Sequence, residues 1–370
     1  MRPSEHAWLR VPVVGQEVIR YNESDLRPFG TRRKWPTLIR VGISGLGAVG
    51  RRALRIAEGR TDVQVVAVNG PGASATMAHL LKYDSNYGTF AAVVASDEGH
   101  LYVNGRSIRA FHERDPQAID WASEGVDLVI EASGKFNDPE IAKAHLTRGP
   151  RRVVIAAPAK VHEAPTYVLG VNADAFDPKK DFVMSMGSCT TNCLLPVTKV
   201  LDDAFGVEEG MMTSVHSYTS DQSLLDKSHK DLRRARAAAV NIIPTTTGAA
   251  KAIKVVWPEL GERFHGFALR VPTQVVSAVD LVVRLRRRAT AVEINAAMRA
   301  AAEGAMHGIL DYTEAPIVSS DLRGSPASAT FDAGLTAAVG QLAKVLAWYD
   351  NEWGYATRLI DFAAYIAKRE

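Results

Sequence analysis

The 370-residue sequence says much through what it lacks. It holds only two cysteines, Cys189 and Cys193, in one short segment. Such a pair makes no disulfide framework and points to a reducing, cytoplasmic setting. No apolar run approaches the roughly 20 residues that a membrane-crossing helix needs. Residues 1–37 lack the apolar centre of a secretory signal, and Glu5, Glu17, Glu23 and Asp25 argue against an acid-poor transit peptide. Internal repeats and low-complexity tracts are missing too. Charge is nearly balanced at +3. The basic runs Arg32-Arg33-Lys34, Arg233-Arg234 and Arg286-Arg287-Arg288 are scattered, as solvated faces are, which argues against nucleic acid as the main partner. C-x₃-C with no second group of ligands is poor zinc spacing, so no metal site is expected.

What is present is an ordinary globular composition, 46% hydrophobic and 23% charged, in a chain long enough for two domains. Residues 1–37 show no sustained periodicity and read as an extension. From Leu38 the texture changes. "LIRVGIS", "GLGAVGRRALRIAEG" and "VQVVAVN" form one βαβ unit, and strands recur at 126–133, 151–158 and 181–186. This alternation builds an α/β, doubly wound parallel sheet. After Cys189 come longer strands, "GMMTSVHSYT", "HGFALRVPT" and "VVSAVDLVVRLRR", with the helix "AVEINAAMRAAAEGA" among them, which indicates an α+β domain. A last helix, "GYATRLIDFAAYIAK", closes the chain. The expected division is 38–188 for a dinucleotide-binding domain, completed by 352–370, and 189–351 for a catalytic domain.

Gly45, Gly47 and Gly50 stand as G-x-G-x-x-G between a strand and a helix. Glycine suits this loop because the turn is tight and a pyrophosphate must approach the backbone closely, at the N–H end of the helix. An acid about 20 residues further on ordinarily binds the adenosine ribose. Here that place is Gly70, in "VVAVNGPG". Either the glycine permits a turn, or nothing repels the extra phosphate of NADP.

"SMGSCTTNCLLP" sets Cys189 between a strand and a helix, where the helix dipole favours a thiolate. Ser188, Thr190, Thr191 and Asn192 make an inert core thiol less attractive. His216 is a candidate base, although spacing alone does not pair it with the cysteine.

"SCTTNCL", "HSYTSDQ", "DLRRARAAAVNIIPTTTGAAKA", "ALRVPT" and "WYDNEWGY" together resemble the phosphorylating glyceraldehyde-3-phosphate dehydrogenase family, in family order and from about Leu38 onward. The resemblance implies a Rossmann domain plus an α+β catalytic domain, assembled as a homotetramer. It implies Cys189 as nucleophile and His216 as base, acting on glyceraldehyde 3-phosphate with inorganic phosphate. Thr219, Asp221 and Arg270 would surround the substrate phosphate, and Ser188, Thr190, Thr247, Gly248 and Arg234 the inorganic one. NAD or NADP would lie along Gly45, Leu46, Gly47, Val49, Gly50, Asn69, Gly70, Arg114 and Ser133, with Phe136 nearby. Asn351 would hold the nicotinamide amide beside Tyr355, whereas Trp348, Tyr349 and Trp353 read as packing residues. Lys227-Ser228 stand where strictly NAD-using members have Leu-Pro and NADP-accepting members Ala-Ser. In the family's tetramer this loop approaches a neighbour's adenosine, so both departures favour NADP. The nearest rival activity is that of erythrose-4-phosphate dehydrogenase, against which "HSYTSDQ" stands. A non-catalytic binding protein on the same fold is opposed by the intact cysteine, histidine and arginine motifs.

Overall fold

A computed structural model describes residues 35, 37–160 and 163–369. The extension expected over 1–37 lies outside these residues, apart from Trp35 and Thr37. Among the described residues no helix is long and apolar enough to cross a membrane.

The first half alternates as its sequence suggests: β1 (Ile39–Ser44), α1 (Ala48–Ala57), β2 (Val63–Asn69), α2 (Ser74–Lys82), β3 (Val94–Ser96), β4 (His100–Val103), β5 (Arg106–Phe111), β6 (Leu128–Glu131), the short α3 (Pro139–Ala142), β7 (Arg152–Ile155) and β8 (Val183–Ser185). Its sheet runs β3-β4-β5-β2-β1-β6-β7-β8. The strands from β5 to β8 pair in parallel, while β3 and β4 add an antiparallel edge. β1, β2 and β6 are almost wholly buried, as continuous apolar runs covered on both faces must be.

The second half holds α4 (Cys189–Phe205), β9 (Val207–Ser217), β10 (Ile243–Thr245), α5 (Ala249–Val256), α6 (Pro258–Gly261), β11 (Phe264–Val271), β12 (Ser277–Leu285), α7 (Ala291–Glu303), β13 (Leu310–Thr313), β14 (Ala329–Val339), β15 (Leu342–Tyr349) and α8 (Trp353–Arg369). The strands form one mixed sheet, β10-β11-β9-β12-β15-β14-β13. One face of this sheet packs on α4 and α7, giving a core that includes Leu194, Leu201, Val279, Leu281, Ile294 and Phe331. α7 begins with a capping box, in which the Thr290 hydroxyl takes the Glu293 N–H and the Glu293 carboxylate takes the Thr290 N–H.

Two connections place the site. β8 runs into α4, so the N-terminus of α4 lies where the first sheet ends. β15 leads into α8, which turns back and packs on α1, β1 and β2. Its apolar face, including Leu359, Ile360, Phe362 and Ile366, joins the core of the first sheet.

Candidate active site

Cys189 is the first residue of α4, preceded by Ser188 as N-cap. The Ser188 hydroxyl accepts the Thr191 N–H at 3.1 Å, and the Thr191 hydroxyl accepts the Ser188 N–H at 3.3 Å. This capping box leaves the free N–H groups of the first turn beside the thiol. The residue before the cap, Gly187, has φ +63, a left-handed conformation that glycine adopts without strain. Tyr355 is buried and donates its hydroxyl to the Gly187 carbonyl at 2.7 Å, so it braces the turn before Cys189 from within.

His216, near the end of β9, brings Nε2 to 3.5 Å from Cys189 Sγ. Its other nitrogen lies 2.7 Å from the Ser217 carbonyl and 2.9 Å from Arg270 Nη1. A carbonyl only accepts and a guanidinium only donates, so the ring proton decides between them. The Ser217 carbonyl is the nearer partner and takes the Nδ1 proton. Arg270 Nη1 has the same carbonyl and Thr219 Oγ1, each at 3.1 Å, for its own protons. Nε2 then turns a lone pair to the thiol, as a general base must. Burial and the Arg270 charge lower the histidine to about 3. Burial also raises the Cys189 thiol, against the pull of Arg270, of the Thr190 hydroxyl and of the Thr190 and Cys189 N–H groups. In the unliganded chain, burial thus disfavours charge on both groups.

Around this pair the structure assembles a chain of anion-binding groups. Arg270, on β11, keeps a buried Nε with no partner among the described residues. Thr219 donates its hydroxyl to Asp221, and the other oxygen of Asp221 pairs with Arg234. Arg234 is held further by Thr245 Oγ1 at 2.8 Å and the Thr246 carbonyl at 3.2 Å. Of the arginines in "DLRRARA", Arg234 turns inward; Arg233 and Arg236 are exposed. Burial tends to raise the Asp221 carboxyl, but Thr219 and the Arg270 and Arg234 charges hold it below its ordinary value. A carboxylate cannot itself ligate a phosphate, so Asp221 orients Thr219 and Arg234. Thr247 and Gly248 open α5, where the Thr247 hydroxyl accepts the Ala249 N–H at 3.2 Å.

Thr190 differs from expectation. Its hydroxyl is buried and meets Tyr349 Oη at 2.9 Å, while Tyr349 Oη also meets Ser214 Oγ at 3.1 Å. The Tyr349 ring stands edge-on to His216, with centroids 5.9 Å apart and planes at 76°. Sequence reasoning took Tyr349 for packing. The ring does pack, but its hydroxyl ties the α4 N-terminus to β9. The available signal was its place in alternating β15, next to "DNEW".

The glycine loop fits a dinucleotide on its own geometry. An added Cβ at Gly45 would lie 2.4 Å from the Ser133 backbone, and one at Gly50 would lie 2.1 Å from the Gly45 carbonyl. At Gly47, the N-cap of α1, a Cβ would meet no described atom within 4 Å. Two glycines thus serve close packing, and the third opens the approach to a helix end with no acid in its first turn. Leu46 gives its carbonyl to Arg51, and Val49 packs against the first core. Asn69 makes a two-point bond to the backbone of Glu113, at 3.1 and 2.9 Å, so its amide fastens β2 to the segment holding exposed Arg114. Gly70 has no positive φ. Its missing Cβ would face Met77 Cε at 3.1 Å and the Leu46 nitrogen at 3.9 Å. The backbone turn does not require glycine there.

Asn351 lies between β15 and α8, and its Oδ1 accepts the hydroxyls of Ser217 at 2.9 Å and Ser277 at 3.1 Å. That assigns Nδ2 as the donor left to a ligand. Ser133 follows β6, with Phe136 three residues on. Lys227 and Ser228 stand exposed on the loop between β9 and β10, within the catalytic half.

The sequence pattern of the glyceraldehyde 3-phosphate dehydrogenase NAD binding domain matches residues 39–139, and that of the C-terminal domain of the same family matches 188–351. Glyceraldehyde-3-phosphate dehydrogenase from Geobacillus stearothermophilus is 53% identical over 332 residues, covering 90% of this chain and 99% of that protein. Glyceraldehyde-3-phosphate dehydrogenase 1 from Streptomyces avermitilis is 53% identical over 88% of this chain and 97% of its own. Its namesake from Bacillus subtilis is 51% identical over 90% and 99%. Together with the paired cysteine and histidine and the glycine loop, these matches show that the chain belongs to the glyceraldehyde-3-phosphate dehydrogenase family.

Proposed function

We infer that the chain catalyses the reversible oxidative phosphorylation of D-glyceraldehyde 3-phosphate to 1,3-bisphosphoglycerate, with NAD or NADP as cofactor. The observation that carries this reading is the 3.5 Å approach of Cys189 Sγ to His216 Nε2 beside Arg270. Sγ attacks the aldehyde carbon as Nε2 takes the thiol proton, giving a thiohemiacetal on Cys189. The N–H of Cys189 steadies the oxyanion. The substrate's phosphate on Arg270 and Thr219 offsets the charge that depresses His216, so the imidazole is a better proton acceptor once substrate is bound. His216 first returns that proton to the oxyanion, completing the thiohemiacetal, and takes it back from the hydroxyl as the carbon–hydrogen bond breaks. The nicotinamide, when bound, supplies the hydride acceptor. An inorganic phosphate oxygen displaces Sγ from the resulting thioester, releasing the acyl phosphate and restoring the thiolate. Ser188, Thr247, Gly248, Arg234 and the N–H of Thr190 orient that phosphate. On this reading 38–188 with 352–370 carry the cofactor, and 189–351 carry the chemistry.

Omitting inorganic phosphate should stop steady turnover after one acylation per site, and Cys189→Ser should abolish both steps. Sustained turnover without phosphate or another acyl acceptor would sink the phosphorolysis step.

NADP use rests on Gly70. With an ordinary backbone and only a flexible methionine tip facing it, the position tolerates an acid that the chain does not have. Exposed Lys227 and Ser228 would complete a 2′-phosphate site on a neighbouring copy. Five large apolar side chains of that loop, Leu224, Leu225, Leu232, Val240 and Ile242, are exposed in the single chain, which supports a homotetramer that covers them. Gly70→Asp should move kcat/KM preference toward NAD. Unchanged preference, or strict NAD use by the wild type, would overturn NADP acceptance while leaving the catalytic reading intact.

A further inference from the structure

The first half of the chain buries a histidine and a carboxyl group that the proposed reaction does not use. His145 Nε2 and Glu131 Oε2 meet at 3.1 Å, and both side chains are fully buried. A tryptophan fixes which ring nitrogen carries the proton. The Trp121 indole N–H, which can only donate, points at His145 Nδ1 from 3.1 Å. Nδ1 is therefore the acceptor, and Nε2–H donates to Glu131. The other oxygen of Glu131 accepts the Ser133 N–H at 2.8 Å and the Ser133 hydroxyl as well. Trp121 has its place because β1 carries glycine opposite: a Cβ on Gly42 would lie 2.6 Å from the indole.

These contacts give the Ser133 hydroxyl a direction. Its proton is turned inward to Glu131, and its oxygen already accepts the Lys135 N–H at 3.1 Å. One lone pair remains for the cleft side. Ser133 is half-buried, and its backbone is what the first glycine of the loop packs against. We propose that Trp121, His145 and Glu131 are positioning residues that hold Ser133 as an obligate hydrogen-bond acceptor toward the dinucleotide. Such a serine recognises a hydroxyl donor, as a ribose offers, and is unsuited to a phosphate oxygen, which needs a donor. The proposal rests on reading Ser133 as a cofactor contact.

The test is calorimetric measurement of the NAD dissociation constant in the full chain. Ser133→Ala should weaken NAD about five- to tenfold, the size of one hydrogen bond, and Ser133→Thr should retain affinity. Glu131→Gln should weaken it comparably, because an amide N–H now faces the serine or the histidine. The double variant should be no weaker than Glu131→Gln alone. Alkylation of Cys189 by iodoacetamide should keep its wild-type rate throughout, reporting an intact catalytic half. Additive losses, or wild-type affinity in Glu131→Gln, would overturn the relay. Wild-type affinity in Ser133→Ala would instead remove Ser133 from the cofactor contacts, and the relay with it. If Glu131→Gln does not fold, Trp121→Phe decides: it frees the His145 tautomer, and should weaken NAD in wild type but not in the Ser133→Ala background.

Discussion

His216 is neutral in the folded chain because burial and Arg270 both oppose its charging. Its folded value of about 3 lies below the ordinary 6.5, so between those values the unfolded chain holds a proton that the native one does not. The resulting stability is complete above pH 6.5 and is lost progressively as pH falls toward 3. From pH 6.5 to 5 the loss should be about 1.6 kcal/mol per site, read from urea midpoints, and His216→Asn should show a correspondingly shallower decline. An equal decline in the variant would mean that other groups govern the acid limb. Arg270→Leu removes the second cause of the depression, and NMR titration of His216 should then show its pKa rising. The same histidine also governs reactivity. Without a proton acceptor at 3.5 Å, Cys189 in His216→Asn should react with iodoacetamide at least tenfold more slowly at neutral pH, and kcat should fall by roughly 10²–10⁴.

Among the elements, the α4 N-terminus depends on its neighbours for alignment. Tyr349 reaches it from β15, and Tyr355 reaches its preceding turn from α8. Tyr349→Phe strands the Thr190 and Ser214 hydroxyls in a dry setting. It should cost about 1–3 kcal/mol of stability and lower kcat more than it raises KM, because it acts on the nucleophile's mounting. A pure KM effect would contradict that assignment. The parallel strands and α1 were legible in the sequence because runs such as "VQVVAVN" and the glycine loop are strong local signals. The strands β3 to β5 on one side of that sheet were not, since "VAS" and "RSIRAF" are short and mixed in polarity. β14 and β15 are harder to read because their hairpin, "LTAAVGQLAK", is rich in alanine, and only the far end of β15 alternates strongly. The site shows the same division. Cys189, His216 and Arg270 are far apart in sequence, and recognisable motifs rather than spacing drew them together. Glu131, His145 and Tyr349 look like ordinary core until their partners are seen, because the polarity of a buried hydrogen bond has no sequence signature.

Across the whole molecule, Arg52 ties the glycine-loop helix to the turn that carries Asn351. From α1 it reaches Asp84, after α2, and Glu352, beside Asn351, each at 2.8 Å and with almost no exposure of its own. Arg52→Met leaves two carboxyl groups without their cation and should destabilise by roughly 3 kcal/mol. It should also weaken NAD, since the glycine-loop helix and the Asn351 turn lose their shared brace. Unaltered binding and stability would show that this turn is held elsewhere. At the surface, if copies of the chain cover this loop as proposed, Leu224→Asp with Leu232→Asp should shift sedimentation toward smaller assemblies and lower activity with NADP in step. Loss of assembly with undiminished NADP activity would remove Ser228 from cofactor choice. The line Arg270–Thr219–Asp221–Arg234 carries one further implication. Two guanidinium groups against one carboxylate leave a single net positive charge for two phosphate groups, each bearing roughly −1.5 to −2 at pH 7. On the proposed reading both phosphate groups occupy the site from phosphorolysis to release, so the product leaves against an electrostatic deficit rather than an excess of positive charge. If that reading holds, raising the charge by Asp221→Asn should trade faster phosphate capture for slower product release.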